Sequence, residues 1–187
     1  MKKKLSIIIG IILIIILFIG GKRYMDKKAL EKDYQQGVKL IQEYVTNYLV
    51  ENYEGIEKIE WQGIGVEWRN SPIYGASLFS NYVDTDVKIY VSEDNYFTMT
   101  FQLSDEAEYN DDSQKYVLVD SLNSEWIDEL FEVEKGNHLY SNSGNKELKK
   151  LKVSNEEQLE FERMKKSNNG SSDAEIHYDL KIHELNY

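Results

Sequence analysis

The sequence predicts an α+β protein: an N-terminal transmembrane helix, then a long helix packed on a curved antiparallel sheet, with further helices and a C-terminal strand. Three patterns predict it: an apolar run at residues 5–19, helically spaced apolar residues over 30–49, and apolar–polar alternation in several segments of 59–103. The chain has 187 residues, 41% of them hydrophobic, which is enough to bury a core.

The N-terminus predicts a membrane anchor. A basic leader at residues 1–4 precedes the apolar residues 5–21, and Lys22 and Arg23 follow. As a helix, residues 5–21 would reach about 25 Å, close to the ~30 Å hydrocarbon core of a bilayer. A cleaved signal peptide should end in small residues, whereas this apolar segment ends in Leu17-Phe18-Ile19-Gly20-Gly21. We therefore favour an uncleaved signal-anchor over a removed signal peptide.

Residues 22–187 are predicted to form the extracytoplasmic α+β domain of a single-pass cell-membrane protein. Basic residues flank both ends of the span, so charge alone does not orient it. The leader resembles a secretory signal, and residues 29–187 carry 32 acidic against 15 basic side chains. This acidity argues against nucleic acid as a partner, and the absence of cysteine excludes disulfides and thiolate chemistry.

Apolar residues at helical spacing predict a helix over residues 27–52, with Gly20-Gly21 as a point of flexure between it and the span. Its apolar stripe comprises Leu30, Tyr34, Val38, Ile41, Val45 and Leu49.

Alternating segments then predict an antiparallel meander. Between Ile59 and Trp68 the alternation slips by one residue at Gln62-Gly63, which predicts a β-bulge. Further strands are expected at Tyr74–Tyr82, 87–91 and 97–103.

The rest of the chain predicts a short strand at 116–119 and a helix capped by Ser124. The face of that helix would carry Trp126, Ile127, Leu130 and Phe131. A capping box at Ser154–Glu157 predicts a helix to about Lys166. The final strand would bury Ile176, Tyr178, Leu180 and Ile182 on one face.

Three stretches carry a resemblance: Asn52–Ile59, Ser71–Gly75 and Asn81–Val83. With them, residues 27–103 resemble small anchored or lipidated proteins of Gram-positive bacteria with a cystatin-like fold. The resemblance implies one helix across a curved antiparallel sheet, outside the membrane, with no catalytic apparatus. This chain lacks the cysteine of the lipidated members. Its layout is also similar to that of membrane-anchored immunity proteins, which protect producers from their own secreted toxins.

An acidic stretch is the most unusual local feature. Thirteen acidic residues and one base, Lys115, lie between Ser92 and Glu134. Such charge attracts a basic protein partner over long range, and interleaved aromatic residues can anchor it. The candidate partner-binding residues are Asp105, Glu106, Glu108, Tyr109, Asp111, Asp112 and Trp126. The alternative is an ordinary solvated acidic surface.

No cofactor is expected. The acidic loop at 105–112 could hold calcium, but it lacks the alternating acids and central glycine of a recognised calcium loop. His177, Asp179 and His183 would share one face of the last strand, where a solvated edge is favoured over a zinc site.

These patterns lead to a functional hypothesis: a non-enzymatic, membrane-anchored, extracytoplasmic protein-binding module, in the manner of an immunity protein that neutralises a secreted toxin. The alternatives are a cell-surface hydrolase that uses carboxylates or a metal, and a structural component of an envelope complex.

Overall fold

The structure, a computed structural model, describes residues 2–69, 81–141 and 150–185, with only the backbone at 2–20, 23 and 150. Two compact units divide the chain, Met1–Tyr34 and Gln35–Tyr187. The described residues of the first unit are helical, and the second contains the end of that helix and every other described element.

The described residues form four helices and twelve strands in an α+β arrangement. The helices are α1 (Lys2–Asn52), α2 (Leu103–Glu106), α3 (Ser124–Leu139) and α4 (Asn155–Arg163). The strands are β1 (Tyr53–Glu54), β2 (Lys58–Trp61), β3 (Ile64–Glu67), β4 (Tyr82–Tyr90), β5 (Tyr96–Gln102), β6 (Ala107–Asn110), β7 (Lys115–Leu118), β8 (Tyr140–Ser141), β9 (Lys150–Leu151), β10 (Lys165–Lys166), β11 (Glu175–His177) and β12 (Ile182–Glu184).

The predicted helix over residues 27–52 is confirmed as the end of α1, which is continuous from Lys2. Within the second unit, the stripe residues are fully buried: Val38, Ile41, Val45 and Leu49. The buried indole of Trp61 in β2 donates a hydrogen bond from Nε1 to Thr46 Oγ1 of α1 at 2.9 Å. The helix therefore lies against the sheet, as its spacing predicts.

The predicted antiparallel meander is confirmed in β2, β3, β4 and β5. Strands β2 and β3 pair with one edge of β4, and β5 pairs with the other. Side chains along β4 alternate between buried and half-buried, as expected for a sheet with one face on the core.

The predicted bulge is also confirmed. The pairing of β4 places Trp61 opposite Val87 but Gly65 opposite Asp84, so β2 and β3 hold one extra residue between these pairs. Gly63 lies in this interruption with a φ of +87°, a conformation that glycine adopts without a steric penalty.

The C-terminal strand differs from its prediction. It is split into β11 and β12, which pair in parallel with β2 and β3, so the sheet is mixed instead of purely antiparallel. None of the four residues predicted to be buried is fully enclosed: Tyr178 is 50% exposed in the connection between the two strands, and Ile176, Leu180 and Ile182 are half-buried. The break lies opposite the bulge at Gln62-Gly63: Ile176 pairs with Ile59 but Ile182 pairs with Ile64, a shift of one residue. Pairing resumes beyond the bulge, where Ile64 N–H donates to Lys181 O at 2.8 Å.

Two helix boundaries also differ. Asn123, not Ser124, caps α3, because its side chain accepts from Trp126 N–H. Ser154 does cap α4, but that helix ends at Arg163 instead of Lys166. The two residues beyond it, Lys165–Lys166, form β10 and pair with β1.

The predicted strand at 116–119 exists as β7, but it forms a separate hairpin with β6 outside the main sheet. Most of the predicted strand at Tyr74–Tyr82 and the Ser71–Gly75 turn lie outside the described residues.

Where side chains are described, no helix combines the length and apolar character that crossing a bilayer requires. The span predicted at residues 5–21 lies outside those side chains, apart from Gly21.

Candidate protein-binding surface

Six of the seven predicted partner-binding residues fall on one short unit of the chain, α2 followed by the β6–β7 hairpin. Asp105 and Glu106 belong to α2, Glu108 and Tyr109 to β6, and Asp111 and Asp112 to the turn of the hairpin. We call α2 and the hairpin together the acidic hairpin, residues 103–118.

The turn of the acidic hairpin is fixed locally. Asn110 Oδ1 accepts a hydrogen bond from Ser113 N–H at 2.9 Å, the kind of contact that makes asparagine common in turns. Gln114 completes the turn with a φ of 53°. Asp111 and Asp112 are therefore held at the exposed tip.

The acidic hairpin rests on α1 at Gly37. A Cβ atom at that position would lie 2.5 Å from Leu103 Cδ1 and 2.9 Å from Tyr116 Cγ. Tyr116 in turn packs edge-to-face against Tyr109, with ring centroids 5.4 Å apart. Because Gly37 has no side chain, the acidic hairpin can approach α1 closely. This contact positions Tyr109, which is 42% exposed.

Glu106 departs from its prediction as a partner-binding residue. It is only 5% exposed, and its Oε2 accepts a hydrogen bond from Gln102 N–H at 2.8 Å. Burial raises the pKa of this carboxyl to about 7. A side chain enclosed in this way supports the end of β5 and is not available for contact with a partner.

Trp126 lies apart from the acidic hairpin, in the first turn of α3. This residue is 41% exposed, whereas Ile127 and Phe131 of the same helix are fully buried. The expectation that Trp126 shares their face is therefore wrong. It remains a candidate for contact with a partner.

The acidic stretch is largely exposed. Of its thirteen acids, Glu106 is buried, Asp128 and Glu134 are half-buried, and ten are exposed. The ten are Glu93, Asp94, Asp105, Glu108, Asp111, Asp112, Asp120, Glu125, Glu129 and Glu132. Within the described parts of the chain, only Glu132 of these ten forms an ion pair, with Lys135 at 2.8 Å. Among the side chains that the structure describes, most of this negative charge therefore has no compensating neighbour.

A groove that the sequence did not reveal runs beside β5. Its volume is about 440 Å³. Residues 94–98 form one wall, and the other consists of Glu134, Asn137 and His138 of α3 with Glu157 of α4. These three segments are far apart in the sequence, and no periodicity connects them. Asp94 and Glu134 belong to the acidic stretch, but nothing in the sequence indicates that they face each other.

Hydrogen bonds hold both walls of the groove in place. His138 Nε2 and Glu157 Oε1 lie 3.0 Å apart and join α3 to α4. Glu160 Oε2 of α4 accepts from Ser92 Oγ at 2.9 Å and from Asn95 Nδ2 at 2.7 Å, which joins α4 to the turn before β5. The groove is thus built by contacts between elements.

The proposed metal ligands are not brought together. Among the described residues, no three His, Asp or Glu side chains are placed to hold a metal ion, the loop at 105–112 included. His177 contacts Glu175, with Nε2 and Oε1 2.6 Å apart, and Asp179 Oδ1 accepts from Lys181 N–H. His177 and His183 also line neither the groove beside β5 nor the smaller cleft at residues 55–57 and 170–174.

No family model, curated protein or solved structure matches the chain in the comparisons with known proteins.

Proposed function

We propose that the chain is a non-enzymatic protein-binding module that captures a partner with a basic surface. The observation that carries the proposal is the set of ten exposed acids between Glu93 and Glu132, with a single ion pair among them in the described residues. Uncompensated charge of one sign accelerates the association of a partner of the opposite sign. The exposed rings of Tyr109 and Trp126 add the aromatic contact area that interfaces use.

The cellular location of the module is part of the same proposal. Residues 5–21 anchor it in the cell membrane, with the bulk of the chain outside. In this position a cystatin-like domain would act as an immunity protein, neutralising a secreted toxin by binding it. Digestion of intact cells with protease tests this location. If residues 35–187 lie outside the membrane, the protease should cleave them without lysis of the cells.

Site-specific photo-crosslinking tests the binding surface. A photoreactive amino acid replaces Tyr109 in the full-length chain in its own cells, and a matched chain carries it at Leu159. Leu159 is a good control because it is 59% exposed but lies on α4, outside the acidic stretch. We expect a defined adduct with a basic protein, identified by mass spectrometry, from position 109 only.

A charge-neutral variant completes the test. Replacing Asp105, Glu108, Asp111 and Asp112 by their amides should reduce the adduct strongly and weaken its dependence on salt. Equal adduct from the neutral variant, or no adduct at position 109, would refute capture by the acidic hairpin.

A further inference from the structure

Strand β5 forms an edge of the main sheet. It pairs with β4 on one side, and in the described part of the chain no strand pairs with the other. Edge strands are commonly protected by lysine or proline, which discourage pairing with another chain. The sequence of β5, Tyr-Phe-Thr-Met-Thr-Phe-Gln, contains neither.

The pattern of hydrogen bonds shows which residues of β5 face outward. Val91 N–H donates to Asn95 O at 2.9 Å, so positions 91 and 95 form a hydrogen-bonded pair. In an antiparallel ladder, hydrogen-bonded pairs alternate with pairs that are not hydrogen-bonded to each other. Tyr96, Thr98 and Thr100 belong to the second kind, so their N–H and C=O groups point away from β4. Gln102 continues this alternation, and its N–H is bound by Glu106.

Glu106 thus closes one end of the edge, while the other end borders the groove. Tyr96 and Thr98 are among the residues that line it, and α3 and α4 form the facing wall. A groove between an edge strand and a helix is the geometry in which domains bind extended peptides by adding them to the sheet. At ~3.4 Å per residue, the part of β5 that lines the groove, Tyr96 to Thr98, offers about 10 Å, enough to pair with about three residues of peptide.

The charge of the groove selects the peptide. Asp94 lies on the β5 side, and Glu134 and Glu157 lie on the facing wall, with His138 beside Glu157. Lysine or arginine side chains projecting from an added strand would meet these carboxylates at a partly enclosed site, where charge pairs are screened less than at an open surface.

We propose that an extended segment of the partner, bearing lysine or arginine at alternate positions, adds to β5 as the next strand of the sheet. The inference rests on the proposed function, since it specifies how the basic partner is held. Main-chain hydrogen bonds to Tyr96 and Thr98 supply the attachment, and the acidic walls select the side chains.

Synthetic peptides test the added strand on the full-length chain. The probe is an eight-residue peptide of alternating lysine and threonine, capped at both ends. Two analogues carry N-methyl groups on either the lysine or the threonine nitrogens, and a third has glutamate for lysine. An added strand directs alternate N–H groups to β5. One methylated peptide should therefore bind at least about tenfold more weakly than the unmethylated peptide, whereas the other should bind nearly as well as it. The glutamate peptide should not bind.

A matched pair of variants locates the site. Thr98→Pro removes an outward N–H inside the groove, and Thr100→Pro removes one beyond it. Only the first should weaken binding of the lysine peptide. Hydrogen exchange should show peptide-dependent protection at Tyr96 and Thr98 in the unmodified chain, a readout that does not depend on either variant folding.

The outcomes separate the two proposals. Equal binding by both methylated peptides, or no binding of the lysine peptide, would overturn strand addition while crosslinking at Tyr109 could still support capture by the acidic hairpin. If no crosslink forms at Tyr109 but the two methylated peptides still differ in binding, the acidic hairpin is not the contact surface. Strand addition at the groove would then still be supported.

Discussion

Glu106 accepts a hydrogen bond from the backbone N–H of Gln102 at 2.8 Å, at the point where β5 passes into α2. The carboxyl is buried, and burial penalises its charged form, so its pKa rises from 4.5 to about 7. Asp105 adds to the rise through like-charge repulsion, whereas the hydrogen bond from Gln102 opposes it. One side chain therefore connects the end of the edge strand to the acidic hairpin and titrates near neutral pH.

The first prediction follows from this pKa. Between pH 4.5 and about 7 the folded chain holds a proton on Glu106 that the unfolded chain has released. The stabilising contribution of this group is therefore complete below pH 4.5 and is lost as the pH rises through 7. Glu106→Gln keeps an oxygen to accept from Gln102 N–H and removes the titration. We expect it to abolish a pH-dependent loss on the order of 3 kcal/mol in the free energy of unfolding.

Chemical denaturation across pH 4–9 measures this effect. Glu108→Gln is the matched control, because Glu108 is exposed on the adjoining strand. A Glu106→Gln chain whose stability changes with pH as in the unmodified protein would contradict the assignment.

The second prediction concerns two glycines within helices. Ala is normally favoured over Gly in a helix interior by about 1 kcal/mol. At Gly37 of α1, however, the added methyl would collide with the ring of Tyr116, whose Cγ is 2.9 Å from the Cβ position. We expect Gly37→Ala to destabilise the fold by about 1–3 kcal/mol, as overpacking does.

Gly136 of α3 provides the matched control. Nothing lies within 4 Å of a Cβ at this position. Gly136→Ala should therefore stabilise by about 0.5–1 kcal/mol in the same denaturation experiment. If both variants shift stability in the same direction, the close approach of the acidic hairpin to α1 at Gly37 is wrong.

Much of the fold could be predicted from the sequence because its periodic patterns report burial directly. Val38 to Leu49 recur at helical spacing and are buried, and the slip at Gln62-Gly63 is a real change of register. The split of the last strand could not be read in the same way. It arises from pairing with β2 and β3 across more than a hundred residues, and alternation within 176–182 carries no information about that bulge.

The candidate surface was predicted only in part for a related reason. Local charge density identified Asp105, Glu108, Asp111 and Asp112, because exposure is the default for acidic side chains. It misjudged Glu106, whose burial depends on the packing between α2 and β5. The groove depends on contacts such as His138 with Glu157, which only the tertiary fold creates.

The third prediction concerns a buried hydrogen bond between helix and sheet. Trp61 Nε1 donates to Thr46 Oγ1, and both side chains are almost completely buried. Thr46→Val keeps the shape of the side chain but leaves the indole N–H without an acceptor. The expected cost is about 1–3 kcal/mol in the free energy of unfolding. The double variant Thr46→Val with Trp61→Phe separates the cost of the unpaired donor from the loss of ring volume, and strict additivity of the two changes would argue against the bond.

The last prediction concerns a polar cluster that ties α1, β1, α3 and β10 together. Asp128 Oδ1 accepts from Tyr48 Oη at 2.8 Å and from Tyr53 Oη at 2.7 Å, while Lys166 Nζ donates to Asp128 Oδ2. Burial alone would raise the pKa of Asp128, but the hydrogen bonds from Lys166, Tyr53 and Tyr48 outweigh it and lower the pKa. Its contribution to stability is therefore present above the pKa of the unfolded chain and is lost as the pH falls through the folded value, the opposite slope to that of Glu106.

Asp128→Asn should accordingly destabilise the chain at pH 7, by about 1–3 kcal/mol, because it removes a charged acceptor from three donors. The difference from the unmodified protein should shrink in acid, since protonation of Asp128 weakens the same contacts in the parent chain. Glu129→Gln, on the next residue of α3 and exposed, is the matched control and should change stability little. Denaturation at pH 7 and at pH 3 measures the free energy of unfolding of both variants. If Asp128→Asn lowers it equally at the two pH values, the carboxylate charge does not hold the cluster together.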